Sequence, residues 1–290
     1  MTQPRPALGL LLDVDGPLAS PITRTINIPE IAFLLVELAH SGVPVVFNTG
    51  RSDAFLREVV LPPLLRAGLR DDVRLYGVCE KGAVWFRMST AGVTDLTLDP
   101  ETRVPAGLAE WAERLVAERF SDSVFFDPTK RAMVSVEQRT DVASAAYLEV
   151  QPELDAAVYD WFVSNGHGVV WGDIRTPDAH GRTAYRIDPT IISTDVESAL
   201  LGKDRGAQRA FELIEADGEP PLLWRTMGDS RTDYAMADWL HERGYEVEHA
   251  DVRPADGLLA KPYPVCVAGD LIHDDAGVVF LREWLELVNP

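Results

Sequence analysis

Two segments place pairs of aspartates where they could share one metal ion. Asp13 and Asp15 follow a short apolar run near the start of the chain, and Asp229 and Asp233 follow another such run near its end. Each run predicts a buried strand, so the carboxylates would stand just past a strand end. Carboxylate oxygens are suitable ligands for hard divalent cations. The later aspartates are therefore predicted to join Asp13 around one such cation.

Each segment also has a plainer interpretation when it is taken alone. Residues 13–16 are typical of a turn rich in Asp and Gly. Asp229 or Ser230 could instead cap the helix that is predicted to follow them. A calcium loop starting at Asp13 suits the sequence less well, because its twelfth position is Arg24 where a glutamate is needed.

Two further segments could bind a small anion. Residues 48–51 (NTGR) follow a third apolar run and lead into a predicted helix, so the hydroxyl of Thr49 would lie beside Gly50 and free backbone amides. Lys203 stands at the start of another predicted helix, where a lysine is usually an ordinary solvated cation. In a chain with a net charge of −19, however, a phosphate site needs a local cation. Thr49, Gly50 and Lys203 are therefore the candidate phosphate-binding residues.

Alternating strands and helices are predicted at both ends of the chain. In the first part the apolar spacing predicts, in order, a strand at 8–14, a helix at 27–40, a strand at 43–47, a helix at 52–67 and a strand at 73–78. The same rhythm resumes after Lys203. This pattern predicts an α/β fold with a Rossmann-like, doubly wound parallel sheet, which binds ligands beyond the carboxyl ends of its strands.

The middle of the chain has a different pattern, in which a helix followed by two strands occurs twice, with the second of these helices predicted at 153–164. Such a unit predicts a small α+β domain inserted into the outer one. We expect a first core segment at residues 1–84, the inserted domain at 85–195 and a second core segment at 196–290.

The composition excludes several classes of partner and protein. The chain has 46 acidic and 27 basic residues, and its apolar content of 46% excludes intrinsic disorder. Because such an acidic surface repels phosphate backbones and anionic lipids, neither nucleic acid nor a membrane is expected as a partner. Cys79 and Cys266 form no CxxC pair, and neither a signal peptide nor a spanning segment is found. We therefore expect a soluble cytoplasmic protein, whose oligomeric state the sequence does not indicate.

Together the motifs resemble those of the haloacid dehalogenase (HAD)-like hydrolase superfamily. Residues 10–18 (LLLDVDGPL) resemble its first motif, residues 45–51 (VVFNTGR) its second, Lys203 its third and residues 228–236 (GDSRTDYAM) its fourth. The insert lies between the second and third motifs. That position is similar to the type II subclass with a C2B-like α+β cap, which includes Cof-type, sucrose-phosphate and mannosyl-3-phosphoglycerate phosphatases.

The resemblance implies an aspartyl-phosphate mechanism that uses Mg²⁺. Asp13 would be the nucleophile, and Asp15 would be the general acid and then the general base. The Mg²⁺ ion would be bound by Asp13, by the backbone carbonyl of Asp15 and by Asp229, with Asp233 near it or reaching it through water.

The resemblance also implies that Thr49, Gly50 and Lys203 hold the transferring phosphoryl group. Arg205 is an alternative for the third motif, because it too precedes a glycine. Counting helical positions from Arg205 would turn polar residues toward the core, namely Gln208, Arg209 and Glu212. Counting from Lys203 places small residues there, namely Gly206, Ala207 and Ala210, so the spacing favours Lys203.

Contacts to the substrate are predicted less specifically. Arg51, Lys81 and Arg186 are the candidates. Lys81 replaces the asparagine that the type II subclass often has before its Gly-Ala, and Pro17 replaces the usual Thr or Val of the first motif, which removes a backbone donor.

The function that follows is a Mg²⁺-dependent phosphatase, a HAD-type phosphoric monoester hydrolase acting on a small phosphorylated metabolite, with a sugar or polyol phosphate expected. Two alternatives stay open. One is a phosphosugar mutase that uses the same aspartyl phosphate, and the other is a catalytically silent protein that binds a phosphorylated ligand.

Overall fold

The computed structural model describes residues 5–289. Residues 1–4 and Pro290 lie outside it. Residues 1–4 are part of the predicted first core segment and of the segment in which no signal peptide was predicted. The strands are, in chain order, β1 (Gly9–Leu12), β2 (Val45–Asn48), β3 (Leu75–Cys79), β4 (Val84–Ser89), β5 (Gly92–Leu98), β6 (Val124–Phe126), β7 (Val134–Gln138), β8 (Val169–Trp171), β9 (Ile174–Thr176), β10 (Tyr185–Pro189), β11 (Ser193–Ser198), β12 (Leu223–Gly228), β13 (Glu246–Asp251) and β14 (Val265–Cys266). The α-helices are α1 (Pro29–His40), α2 (Asp53–Phe55), α3 (Leu61–Arg66), α4 (Leu108–Leu115), α5 (Ser144–Ser164), α6 (Lys203–Asp217), α7 (Tyr234–Glu242) and α8 (His273–Val288). None of the helices in residues 5–289 is long and apolar enough to cross a membrane.

The chain forms two compact units. The first unit consists of the residues up to Thr97 and those from Gly202 onwards, and it contains a sheet with the order β14-β13-β12-β1-β2-β3-β4-β5. The strands from β14 to β3 are parallel to their neighbours, and β4 runs antiparallel to β3. The predicted α/β fold with a parallel sheet is therefore confirmed.

The apolar β1 strand lies at the centre of this sheet, and all four of its residues are buried. Its neighbours are β2 and β12, and Leu12 lies opposite both Phe47 and Met227. The carboxyl ends of the three strands are therefore level, so the residues that follow them emerge at one edge of the sheet.

The second unit comprises Leu98–Leu201 and contains a sheet with the order β6-β7-β11-β10-β8-β9. Helices α4 and α5 supply buried residues, among them Leu108, Tyr147 and Phe162, to one core with the inward side chains of this sheet. Layers of helix and mixed sheet are the α+β arrangement predicted for the inserted domain.

The limits of this unit differ from the predicted 85–195. Residue 85 lies inside β4, which pairs with β3, and β5 extends the same large sheet, so this hairpin belongs to the first unit. Residue 195 lies inside β11, which pairs with both β7 and β10. The sequence of β11 is polar and lacks the apolar alternation of a strand. Pairing with β7 and β10 on its two sides holds β11 within the sheet.

Helix α5 also begins nine residues before the predicted start at 153 and continues through Pro152. A proline in a helix removes one backbone donor, so Pro152 is unfavourable at this position. Tyr147 and Leu154 are both buried in the core of the second unit, so packing on both sides of the proline keeps the helix continuous.

Candidate active site

The predicted site residues of the first unit meet at the carboxyl edge of its parallel sheet. Asp13 follows β1, Thr49 follows β2 and Asp229 follows β12. The backbone amide of Asp13 donates to the carbonyl of Met227 at 2.9 Å, which continues the pairing of the two strands as far as the aspartate. Thr49 is tied in the same way to Val78 of β3, at 2.9 Å.

Lys203 is the cation at the centre of the site. It is the first residue of α6, and its side chain is only 8% exposed. Its Nζ lies 2.7 Å from Asp13 Oδ1 and 2.6 Å from Asp233 Oδ1, and it donates to the carbonyl of Asn48 at 2.8 Å. These contacts use all the donors of an ammonium group.

The charge of Lys203 is secured by these neighbours. Burial alone would lower the pKa of Lys203, but the charges of Asp13 and Asp233 and the hydrogen bonds to them outweigh it and raise that pKa above its ordinary value. The structure thus brings Lys203, the residue favoured by helical spacing over Arg205, to Asp13.

Asp233 is held on its other side by the turn that precedes it. Its Oδ2 accepts from the backbone amides of Asp229 and Ser230, at 3.2 and 3.0 Å, and from Ser230 Oγ at 2.7 Å. Burial would raise the pKa of Asp233, yet Lys203 and Ser230 lower it below the ordinary value. The alternative in which Asp229 or Ser230 caps the helix is not what the structure shows, because Asp233 immediately precedes α7 and points back at the turn.

Three carboxylates gather around this point. One oxygen from each of Asp13, Asp229 and Asp233 lies within 4.8 Å of the others. Burial and the neighbouring carboxylates raise the pKa of Asp13, and burial and the charge of Asp233 raise the pKa of Asp229 to about 6. Lys203 offsets only part of this negative charge, so the set fits a hard divalent cation in both ligand type and charge.

Close approach of two loops builds this cluster. A Cβ atom on Gly16 would lie 2.6 Å from Asp229 Oδ2, and the φ of Gly16 is +92°, so a side chain is excluded on both grounds. The turn after β1 is closed by amides of Leu18 and Ala19, which donate to the carbonyl of Val14 at 3.2 and 2.8 Å. Pro17 therefore fits this turn despite its missing donor.

Asp15 is not part of the carboxylate cluster but forms a two-pronged ion pair with Arg51. Arg51 Nε lies 2.9 Å from Asp15 Oδ2, and Arg51 Nη2 lies 3.0 Å from Oδ1. The guanidinium also lies over the ring of Phe55, 5.0 Å from its centre. Arg51, predicted as a substrate contact, is thus engaged with the predicted general acid in this structure.

The residues predicted to cradle an anion, Thr49 and Gly50, lie in the loop after β2. Thr49 is fully buried, and its Oγ1 accepts from the amide of Arg51 at 3.1 Å. The amide of Lys81 donates to the carbonyl of Thr49 at 3.1 Å. A Cβ on Gly50 would lie 3.7 Å from Lys81 Cε, so the lysine side chain passes over the glycine. Lys81 thereby brings a second cation to this loop.

Arg186 lies in β10 of the second unit. Its Nε donates to Glu197 Oε1 at 2.6 Å and its Nη2 donates to the carbonyl of Leu201 at 2.7 Å. The side chain of Glu197 is fully buried. The contacts of Arg186 therefore hold the end of β11 in place, and its predicted role toward a substrate stays a prediction.

Several contacts of the site carried no signal in the sequence. Asn48 Nδ2 donates to the carbonyl of Lys203 at 2.9 Å, and a Cβ on Gly206 would lie 2.0 Å from Asn48 Oδ1, so the two residues fit each other. A Cβ on Gly277 of α8 would likewise lie 2.0 Å from the carbonyl oxygen of Pro17. These are contacts between distant parts of the chain, which spacing along one helix or strand cannot predict.

Comparison with known proteins identifies the fold but no sequence relative. No family model matches the chain, and no curated protein matches it. Among solved structures, it is similar to the C-terminal domain of trehalose-6-phosphate phosphatase from C. albicans, with a TM-score of 0.64 and 12% identity over 97% of this chain and 93% of that one. It is also similar to a HAD subclass IIB sugar phosphatase, with a TM-score of 0.51 and 15% identity over 95% of this chain and 98% of that one.

A third similar structure is a protein of Thermoplasma acidophilum, with a TM-score of 0.56 and 14% identity over 96% of this chain and 98% of that one. The likeness to all of these structures extends over nearly the whole chain. The chain therefore has the haloacid dehalogenase-like fold, which its sequence motifs predicted.

Proposed function

We propose that this chain is a Mg²⁺-dependent phosphatase that hydrolyses a small phosphomonoester through a covalent intermediate on Asp13. The observation that carries the proposal is the position of Lys203, whose Nζ lies between Asp13 and Asp233 at the carboxyl edge of a parallel sheet. A buried cation beside a buried carboxylate is the arrangement that attack on a negatively charged phosphate requires.

Asp13, Asp229 and Asp233 are the residues that would hold Mg²⁺, by the fit of their oxygens and their excess negative charge. When bound, the ion would neutralise charge on the phosphoryl oxygens and on the attacking carboxylate. The backbone carbonyl of Asp15, which the sequence motifs imply as another ligand, belongs to the turn directly beside this cluster.

In the first step a carboxylate oxygen of Asp13 attacks phosphorus, and the bond from phosphorus to the leaving oxygen breaks. Lys203 neutralises charge on the phosphoryl group, and the loop at Thr49 and Gly50 supplies hydrogen-bond donors to it. Asp15, in its protonated form, gives its proton to the leaving alkoxide, which departs as an alcohol.

In the second step a water molecule attacks the phosphorus of the aspartyl phosphate. Asp15 now accepts a proton from this water, the bond between phosphorus and Asp13 breaks, and inorganic phosphate is released. Asp15 must separate from Arg51 to carry a proton, because the ion pair between them occupies both of its oxygens. Arg51 would then hold Asp15 in position between turnovers.

The substrate we propose is a sugar or polyol phosphate. Two of the solved structures with this fold are a trehalose-6-phosphate phosphatase and a sugar phosphatase, and a third, from Plasmodium falciparum, is an IMP-nucleotidase with a TM-score of 0.52. A net charge of −19 favours a small metabolite over nucleic acid or a membrane. Cys79 and Cys266 are thiols and not a disulfide, which favours the reducing cytoplasm.

The test is phosphate release from a panel of sugar phosphates, polyol phosphates, phosphoglycolate, nucleotides and p-nitrophenyl phosphate, with Mg²⁺ or with EDTA. Release should require both Mg²⁺ and Asp13, and the Asp13→Asn variant should fold without turning over. Turnover retained in Asp13→Asn would contradict the proposal. Transfer of phosphate between carbons without release would favour the mutase, and binding without turnover at saturating Mg²⁺ would favour the silent binding protein.

A further inference from the structure

His273 is a polar residue at the edge of the carboxylate cluster for which the proposed reaction gives no role. It is the first residue of α8, and its Nδ1 lies 3.9 Å from Asp229 Oδ2. Within residues 5–289 that nitrogen is buried and has no hydrogen-bond partner. An unpartnered buried nitrogen is costly, so its place beside a carboxylate needs a reason.

The backbone of His273 is held in an unusual conformation. Its φ is +52°, in the left-handed region that is uncommon for any residue other than Gly, and its amide donates to the carbonyl of Val252 at 2.8 Å. Four residues later, Gly277 packs against the carbonyl oxygen of Pro17. The start of α8 therefore lies against the turn after β1, and it places His273 beside Asp229, which follows β12.

The three clustered carboxylates differ in how they are held. Lys203 contacts Asp13 and Asp233, and Ser230 adds hydrogen bonds to Asp233. Asp229, whose side chain is 20% exposed, is instead faced by the imidazole of His273, which is 21% exposed. Asp229, the clustered carboxylate for which the structure shows no ion pair with Lys203 within residues 5–289, thus has the imidazole of His273 beside it.

We infer that His273 is a positioning residue of the proposed metal site, which orients the carboxylate of Asp229 through Nδ1. The inference rests on the proposed function. The gap of 3.9 Å is too long for a direct hydrogen bond, and one water or a small rotation of either side chain closes it. The imidazole would engage Oδ2, so that the other oxygen of Asp229 stays available to the cation, as partners of metal-binding carboxylates do.

The test is Mg²⁺ binding to the metal-free protein, measured by calorimetry on the full chain. His273→Gly removes the imidazole and suits the positive φ, whereas His273→Asn suits the same φ and keeps a polar atom near Nδ1. His273→Gly should raise the Kd for Mg²⁺ roughly tenfold, and His273→Asn should keep it near the wild-type value. Thermal melts of both variants verify the fold.

Each result is decisive. Unchanged Mg²⁺ affinity in His273→Gly would show that the residue serves only the backbone and would overturn the inference. Equal losses in the glycine and asparagine variants would also overturn it, because asparagine keeps the polar atom. If the wild type binds no Mg²⁺, or if Asp229→Asn binds as well as the wild type, the proposed metal site itself fails and the inference with it.

Discussion

The two units of the molecule use charged side chains in opposite ways. In the first unit Asp13, Asp229, Asp233 and Lys203 lie together, and their carboxylates outnumber the cation. Burying charge in this way is unfavourable unless a further positive group binds, so such a cluster is typical of a site. The cluster therefore has a local excess of negative charge, which a bound cation would offset.

In the second unit the buried carboxylates Glu197 and Asp155 are engaged by a guanidinium and by a hydroxyl, and several other charges lie in solvent. Arg186 contacts buried Glu197, and Thr194 Oγ1 donates to the buried Asp155 at 2.6 Å. Others are exposed neighbours in sequence, such as Arg139 with Asp141. The buried contacts hold strands and helices in place, whereas exposed ion pairs contribute little to the free energy of unfolding. The comparison teaches that the chemistry can be assigned to the first unit, while these contacts of the second do not identify a substrate.

The largest loss of activity is expected in helix α6, where replacing Lys203 should lower kcat/KM far more than replacing Arg205. Lys203→Met should lower kcat/KM by roughly 10³-fold, because it removes the charge that binds the transferring phosphoryl group. Arg205→Met is the matched control, two residues along the same helix, and should change kcat/KM little. Steady-state phosphate release measures both. A reversed order, with Arg205→Met the inactive variant, would restore the alternative third motif.

A smaller loss is expected when the ion pair of Asp15 is broken. Arg51→Met should lower kcat about a hundredfold, because Asp15 loses the group that holds it in position between turnovers. Arg51→Lys should recover little, since an ammonium group cannot form the two-pronged contact. The measurement is kcat and KM as a function of pH. An Arg51→Met variant with a normal kcat and a raised KM would instead make Arg51 the substrate contact that the sequence predicted.

The carboxylate cluster should make stabilisation by Mg²⁺ depend on pH. The pKa of Asp229 is about 6, above its ordinary 3.8, so its contribution to the stability of the metal-free fold is full below pH 3.8 and is lost as the pH rises through 6. Mg²⁺ binds the ionised form, so it should raise Tm by roughly 3–6 °C at pH 7.5 and by under about 1 °C at pH 5.

Thermal melts with Mg²⁺ or EDTA at the two pH values measure this effect. Asp229→Asn is the control, and it should melt at the same temperature with and without Mg²⁺. An equal Mg²⁺ shift at both pH values in the wild type would show that Asp229 is not a ligand.

The smallest effect on activity is expected in the second unit. Arg186→Met should lower the free energy of unfolding by about 1–3 kcal/mol, because Glu197 stays buried after its partner is lost. Its kcat and KM should stay close to those of the wild type. Urea unfolding and steady-state kinetics measure the two quantities. A strongly raised KM with normal stability would contradict this expectation and make Arg186 a substrate contact.

Much of the fold and site was predictable because it is encoded locally. Short apolar runs ending in Asp13, Thr49 and Asp229 gave the parallel strands, and the carboxyl ends of parallel neighbours meet at one edge. Helical spacing chose Lys203 over Arg205. These inferences need only the period of a helix or strand and the rule for where such sheets bind ligands.

The remaining features depend on contacts between distant residues. The pairing of Asp15 with Arg51 and the approach of His273 to Asp229 depend on where side chains turn, which periodicity does not encode. Strand β11 is polar in sequence and is a central strand only because β7 and β10 pair with it. Helix α5 continues through Pro152 because residues on both sides of the proline pack in the core of the second unit.

Detection of the covalent intermediate tests the central claim, attack by Asp13, most directly. The Asp15→Asn variant lacks both the general acid of the first step and the general base of the second, so it would be mixed with Mg²⁺ and p-nitrophenyl phosphate, whose leaving group departs without a proton. The reaction would be quenched in acid within the first turnover and digested for peptide mass spectrometry. We predict phosphate on the peptide that contains Asp13, and its absence when Asp13 is also replaced by Asn. Turnover by the wild type with no phosphorylated Asp13 in either protein, or with phosphate on another residue, would contradict the assignment.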